Sequence, residues 1–249
     1  MSTKNGAQII LYRFNVLHRI VHLIVMVTFV GVGLTGCSMA FSSTSLAQFF
    51  VQCLGGIDNT RSLHRFFAVT LYLCVVTEVV WIIYYKFMLR GRILGPDSMF
   101  PSKRDFSCFY HHMQYILGRR DDPPPFERFA WWEKLDYWTL FIGMQTMSLT
   151  GLLLWFPEFF SSFLPGYFIN LAQVLHVDEG VLAVLYKFFI HTTVRHFRPE
   201  VYPGDWTIFT GKTTPEKVRR THPGEWARLK AAGKMGDITP HEAATGTKR

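Results

Sequence analysis

The chain has 249 residues, a net charge of +8 and a mean hydropathy of +0.15, with 49% hydrophobic and 16% aromatic residues. That apolar content excludes an ordinary soluble domain, and the length suits one bundle of four or five membrane spans with no second domain. The cations do not gather on one helix face, so the positive charge does not point to nucleic acid.

Residues 1–15 read as a short polar lead-in with Lys4 and Arg13. An apolar run from Ile20 to Leu34 follows, and the first span is predicted over residues 17–40, with Asn15 marking its start. Near its end, Leu34-Thr35-Gly36-Cys37 resembles a lipoprotein cleavage box, but the segment is read as a retained span and not as a signal peptide. Ser42-Ser43-Thr44-Ser45 opens a connector whose 46–54 piece is expected along the membrane interface. The second span, residues 62–88, ends in Tyr84, Tyr85 and Lys86, an aromatic and cationic anchor.

Residues 89–132 hold no spanning run and are broken by Gly91, Gly95-Pro96, Pro101 and Pro123-Pro124-Pro125. They read as a loop with one short helix around residues 106–117. The third span, 133–156, stops at Pro157, and a Phe-rich connector carries Pro165-Gly166. The fourth, 171–197, cannot continue through Pro199 and Pro203. The tail, residues 200–249, is polar and is expected to be partly mobile or docked to another subunit. No internal repeat stands out.

Charge fixes the orientation. Lys86, Arg90, Arg92, Lys103, Arg104, Arg119, Arg120 and Arg128 cluster around the 89–132 loop, and a second set runs from Arg195 and Arg198 to Lys248 and Arg249. The connectors 42–60 and 158–175 carry neither Lys nor Arg, so the basic segments are assigned to the cytoplasm. The expected fold is an all-α membrane protein, a four-transmembrane-helix bundle with both termini cytoplasmic. Its first and third spans run outward, and its second and fourth run inward.

Four histidines, His22, His64, His176 and His191, fall at the ends of these spans, where a titratable ring is expensive and usually has a partner. Fifteen residues separate His176 from His191, which at helical rise is ~22 Å and returns the ring to within about 60° of its first face. By orientation, His22 and His191 lie on the cytoplasmic side and His64 and His176 on the outer side. Two stacked bis-histidine sites suit iron porphyrin. One such histidine reads equally well as a polar residue satisfied between helices; four at two matched depths favour ligation. His18, one turn before His22, is the rival for the inner position, and His196 lies one turn beyond His191. His111, His112, His222 and His241 are assigned to solvated surface.

Cys37, Cys53, Cys74 and Cys108 form neither a CxxC pair nor a C-x-x-C-H attachment motif, so any haem is non-covalent and b-type. Pairing of Cys37 with Cys53 stays open beside their reading as small apolar residues. Arg19, Arg61, Arg65 and Arg195 flank the proposed ligands and suit anionic haem propionates, with interfacial anchoring as the alternative. Glu78 and Lys187 are charges inside the spans, and Glu78 lies fourteen residues on from His64, ~21 Å deeper and about 40° off its face. Glu78 and Lys187 are candidates to pair with each other, to serve a haem propionate or, with Glu133 and Asp136, which open the third span beside Lys134, to carry protons at a quinone site.

These residues form a pattern. Arg19-Ile-Val-His22, Leu34-Thr35-Gly36, Leu63-His64-Arg65, Leu149-Thr150-Gly151, His176 and His191 together resemble the diheme cytochrome b subunit of formate dehydrogenases, nickel–iron hydrogenases and thiosulfate reductases. Glu133-Lys134-Leu-Asp136-Tyr137-Trp138 and His196-Phe197-Arg198-Pro199-Glu200 resemble a branch associated with multihaem c-type cytochromes or iron–sulfur subunits. The resemblance runs from Arg13 to about Trp226. It implies two haem b groups, a menaquinone or ubiquinone site by the cytoplasmic-side haem, and a redox partner on the outer face. It also implies a multi-pass protein of the bacterial cytoplasmic (inner) membrane, in contact with membrane lipid. One departure stands out. Where formate dehydrogenase subunits carry an Asn just before the third span, this chain has Ala130, so the quinone contacts do not carry over.

The reading is an electron-transfer subunit of a respiratory oxidoreductase complex with a quinone-reactive site. Two others compete with it: a haem-bearing anchor without its own quinone site, and a non-haem transporter whose histidines serve a proton or metal path.

Overall fold

The computed structural model describes residues 10–198, 201–202 and 204–233; Lys4, Pro199, Glu200, Pro203, His241, Lys248 and Arg249, with the expectations resting on them, lie outside the described residues. In chain order the elements are β1 (Leu11–Tyr12), α1 (Val16–Ala40), α2 (Ser45–Cys53), α3 (Ile57–Phe87), α4 (Lys103–Ile116), α5 (Trp131–Trp155), α6 (Pro157–Ser161) and α7 (Tyr167–Leu185). A π-helical turn over Tyr186–His191 follows, then α8 (Thr192–His196), α9 (Thr207–Thr210), β2 (Lys212–Thr213), α10 (Pro215–Thr221) and α11 (Pro223–Ala231).

Val16–Ala40, Ile57–Phe87 and Tyr167–His196 are long and apolar enough to cross a membrane. α5 is as long as α1 but opens with Glu133, Lys134 and Asp136. Several bounds differ from the sequence reading for local reasons. α1 starts after Asn15, whose Oδ1 accepts the His18 main-chain N–H at 2.8 Å, an N-cap. α3 begins at Ile57 and not at residue 62, because Gly55 and Gly56, at φ +86° and +98°, make the left-handed turn between α2 and α3. Pro157 ends α5 as expected but also opens α6, since a proline is tolerated in a first helical turn. α7 begins at Tyr167, ahead of residue 171. The run beyond it is not uniform: Thr192 Oγ1 donates to the Lys187 carbonyl at 2.9 Å, across the π turn. A π turn rotates less per residue than an α turn, so the His176-to-His191 offset is not that of an ideal α-helix.

The chain divides into two compact units. One comprises Ile20–Val79 and Thr139–Arg195. Its packing is that of a protein with lipid for solvent. Val27, Val30, Phe66, Leu73, Leu149, Leu182 and Phe189 point outward, while Thr28, Thr35, Ser38, Thr60, Thr150 and Ala172 are buried. Small side chains let helices approach closely where no hydrophobic force drives them together. The buried hydroxyls are satisfied within their own helices: Thr28, Thr35, Ser38, Thr60 and Thr150 each donate to the carbonyl four residues back, at 2.7–2.9 Å. At Gly31 a Cβ would come within 2.5 Å of the Phe67 ring, so α1 and α3 touch there only because the residue is glycine.

The other unit comprises Met1–Arg19, Val80–Trp138 and His196–Arg249. Here the structure corrects the expectation for the tail, because its described part folds onto this chain. β1 and β2 pair antiparallel, Leu11 opposite Thr213 and Tyr12 opposite Lys212. Leu11, Val218 and Leu229 form a small core against Trp226. Beside it Glu225, 3% exposed, sits 2.6 Å from Arg13 and 3.6 Å from Arg128. Arg128 donates to the Arg13 carbonyl at 2.7 Å, and Arg13 donates to the Arg128 carbonyl in return. Burial alone would raise the Glu225 carboxyl pKa; Arg13 and Arg128 outweigh it and hold the group below the usual carboxylate range. The 89–132 segment, expected as a loop with one helix, is tied into the same unit. Arg228 grips Asp97 and Glu127, Lys134 pairs with Asp105 at 2.9 Å, and Trp138 Nε1 donates to the Met99 carbonyl at 3.0 Å.

Candidate functional site

In the first of these units α1 and α3 meet, as do α5 and α7, and each contact is made around a histidine. His64 Nδ1 lies 3.0 Å from Thr35 Oγ1, and His176 Nδ1 lies 2.9 Å from Thr150 Oγ1. Each threonine is followed by a glycine whose absent Cβ makes room for the ring: a Cβ on Gly36 would stand 3.2 Å from His64 Cε1, and one on Gly151 the same distance from His176 Cε1. The two rings face one another with centroids 6.2 Å apart and planes at 70°. Two imidazoles bound on opposite sides of one metal, each at about 2 Å, have ring centres about 6 Å apart. The residues present therefore fit a bis-imidazole metal group such as haem.

The donor roles can be read from the oxygens. Thr35 Oγ1 is 2.7 Å from the Gly31 carbonyl, and Thr150 Oγ1 is 2.8 Å from that of Thr146. A carbonyl cannot donate, so each hydroxyl proton is committed to it. The hydroxyl oxygen then accepts from the imidazole, which puts the proton on Nδ1 and leaves Nε2 with its lone pair.

The other sequence-derived residues fall as follows. His22 lies in the second turn of α1 and His191 closes the π turn, both half-buried in this same unit. Glu78 on α3 and Lys187 in the π turn are half-buried, and the Lys187 ammonium sits 5.3 Å from the Tyr186 ring centre. Arg61 is exposed and donates to Asp58 at 3.2 Å. Arg65 lies over the Trp155 ring at 5.0 Å, which occupies its face and leaves its edge to donate. Arg195 is half-buried on α8.

Arg19, Glu133 and Asp136 belong to the second unit. Arg19 Nε donates to the Phe209 carbonyl at 2.8 Å, and Asp136 is half-buried. Glu133 is buried. Its carboxylate accepts the Ala130 N–H at 3.0 Å, capping α5, and lies 3.5 Å from His222 Nε2. His222, assigned to solvated surface, is thus 7% exposed at a helix start. His112 also departs from that assignment, accepting from Trp131 Nε1 at 3.3 Å. His196 accepts the Asp205 main-chain N–H at 3.3 Å. His18, the rival inner ligand, meets Asn15 Oδ1 through Nδ1 at 2.5 Å and stands edge-on to Trp81.

Sequence reasoning passed over two features. The Leu-Thr-Gly tripeptides at 34–36 and 149–151 were quoted for the resemblance, but not that each seats a histidine of another helix; their recurrence was the available signal. The α1–α3 and α5–α7 contacts thus use the same Thr-Gly and histidine arrangement. Glu179, a turn beyond His176, is a further acid inside a span, and its Oε1 lies 3.0 Å from where a Cβ on Gly143 would sit.

Fold and site together define a helical membrane protein with a close imidazole pair between its helices. Residues 13–197 match the prokaryotic cytochrome b561 family, and the chain belongs to it. It is a transmembrane, haem-binding electron-transport cytochrome b of the bacterial inner membrane. Over 216 residues, 87% of this chain and 89% of the relative, it is 19% identical to the formate dehydrogenase, nitrate-inducible, cytochrome b556(Fdn) subunit of Escherichia coli (strain K12). The proteins of the same description from Escherichia coli O157:H7 and Shigella flexneri match to the same extent.

Proposed function

We propose that the chain exchanges electrons between a quinone pool near the cytoplasmic surface and a redox partner on the outer face of the membrane, within a respiratory complex. The observation that carries this reading is the His64–His176 pair, 6.2 Å apart with each Nδ1 already engaged and each Nε2 left as a ligand. His64 and His176 hold the outer of two b haems, and His22 and His191 the inner. Haem, when bound, supplies one-electron iron chemistry. Arg61 and Arg65 on the outer side, and Arg19 and Arg195 on the inner, are the cations suited to its propionates.

Four spans support this arrangement better than three. Residues 137–155 of α5 carry no charge, and α5 supplies the Thr150–Gly151 seat for His176, so it belongs at membrane depth with α7. Four spans and the basic loop put both termini in the cytoplasm. Glu78, Lys187, Glu133 and Asp136 are the groups through which protons reach a menaquinone or ubiquinone. The partner is a catalytic-complex subunit bearing iron–sulfur clusters or c-type haems, by analogy with the relatives' description as formate dehydrogenase subunits.

The test is a set of single replacements in the full chain, purified with its neighbours. His64→Ala and His176→Ala each remove one b haem from the reduced-minus-oxidised spectrum and leave the other. His22→Ala and His191→Ala do the reverse, and His18→Ala removes neither. Two intact haems after His64→Ala would overturn the outer assignment.

A further inference from the structure

We propose that Thr35 and Thr150 are positioning residues that fix the tautomer of the outer histidine pair and lower the reduction potential of the group those histidines hold. The inference rests on the reading of His64 and His176 as axial ligands, and its test separates the two.

The argument begins with the hydroxyl groups. Thr35 is 1% exposed and Thr150 is buried as well, so water is not available to either. Each hydroxyl proton is turned back onto its own helix, at 2.7 Å to Gly31 and 2.8 Å to Thr146. What faces the imidazole is therefore a lone pair, and only an Nδ1–H can meet it at 3.0 and 2.9 Å. The opposite tautomer would set two lone pairs against each other in a medium of low polarity, which is costly. The threonine oxygen, with the Val32 carbonyl beside His64 and the Met147 carbonyl beside His176, thus favours Nδ1–H before any metal arrives, and Nε2 becomes the ligand atom on both rings.

The same contact has an electronic consequence. An Nδ1–H that donates a hydrogen bond pushes electron density onto the ring and makes Nε2 a stronger base. A stronger donor favours ferric over ferrous iron, so the potential falls. Two such contacts act on one pair, one from each helix pair, and their lengths differ by only 0.1 Å. The glycines complete the device, since Gly36 and Gly151 allow each ring to lie against the helix that carries its threonine.

The recurrence argues against coincidence. A Thr-Gly pair on one helix meets a histidine on another in both places, with hydroxyl, carbonyl and ring in the same relation. Buried threonines elsewhere in this unit, such as Thr28 and Thr60, back-bond to their helices in the same way. They serve as internal comparisons for a merely structural hydroxyl.

The experiment is a potentiometric titration of the haem spectra in native membranes and in the purified complex, for Thr35→Val, Thr150→Val, the double variant, and Thr35→Ser. Valine keeps the shape and removes the acceptor. The outer haem should titrate at higher potential, by about tenfold in ferric-over-ferrous preference per lost contact, which is ~59 mV for one electron. The second haem should not move. Thr35→Ser restores the hydroxyl and should restore the potential, and Thr28→Val should leave both haems as they were. Unchanged potentials in Thr35→Val and Thr150→Val, alongside loss of the outer haem in His64→Ala, would overturn the positioning role while keeping the ligand assignment. Retention of both haems in His64→Ala would overturn the ligand assignment itself. Gly36→Ala gives a second measurement that does not depend on the hydroxyl. Its Cβ must displace the His64 ring by a few tenths of an ångström, so the ferric g-values of the outer haem should change; unchanged values would show that the ring does not rest on this seat.

Discussion

Replacing Glu225 with Gln tests whether the described part of the tail is held by a charge cluster within this chain. The substitution keeps the shape of the side chain and one acceptor oxygen, and removes the carboxylate that lies 2.6 Å from Arg13 and 3.6 Å from Arg128. All three side chains are largely sealed from water, at 9% exposure for Arg13, 12% for Arg128 and 4% for Glu225. Two guanidinium groups would be left in a confined space with their neutralising charge gone, and breaking a buried ion pair from one side costs about 3–5 kcal/mol. The exposed Arg219–Glu216 pair lies on the neighbouring helix α10, and Glu216→Gln there should cost ~0–1 kcal/mol. The assay is limited proteolysis of the solubilised complex, followed by mass spectrometry of cuts within residues 201–233. Glu225→Gln should accelerate cleavage there by about two orders of magnitude or more, since 1.4 kcal/mol is tenfold, while the haem spectrum reports on the membrane unit separately. Equal cleavage rates in Glu225→Gln and Glu216→Gln would refute the reasoning.

Acid should loosen the same unit. The Glu225 and Asp205 carboxyls are held below their ordinary values, so their contribution is complete above the ordinary carboxylate range and is lost as pH falls below about 4 through their folded values; tail proteolysis followed from pH 7 to pH 3 should rise only at the acid end. Cys108, on α4 in the basic segment, should resist a membrane-impermeant thiol reagent in intact spheroplasts and react after lysis; ready labelling from outside would invert the topology. Glu78→Gln should slow quinone turnover several-fold with both haems retained, whereas low haem content would mark the residue as structural.

The spans were legible because lipid demands about twenty apolar residues in a row, and few other segments supply them. Their ends were less so. A Gly-Gly turn at 55–56 lengthens α3, and the π turn at Tyr186–His191 has no residue type that announces it. His64 and His176 were legible as expensive rings within apolar spans, and the structure sets them 6.2 Å apart. Their seats were not, although both Leu-Thr-Gly tripeptides were in view, because a tripeptide does not say which residue of another helix it meets.

In the second unit the single helix of the 89–132 segment was legible, while the packing of the described part of the tail was not, for a different physical reason. A charged segment rich in Gly and Pro has the composition of solvated surface, and sequence alone registers the charges without their partners. Arg13 and Glu225 are 212 residues apart in the chain and 2.6 Å apart in space. Arg128, 115 residues from Arg13, completes the cluster. Glu133, which the sequence offers only as an acid near a quinone, is also the cap of α5 and the neighbour of His222 from the tail. Long-range charge pairing of this kind leaves no periodic trace, unlike an amphipathic face. The described tail, whose Glu225 and Arg228 are matched by Arg13, Arg128, Asp97 and Glu127, is therefore part of the protein's own fold. Each such pair cancels one cation with one carboxylate, so it fixes where the charges sit while the net charge of +8 stays as it was.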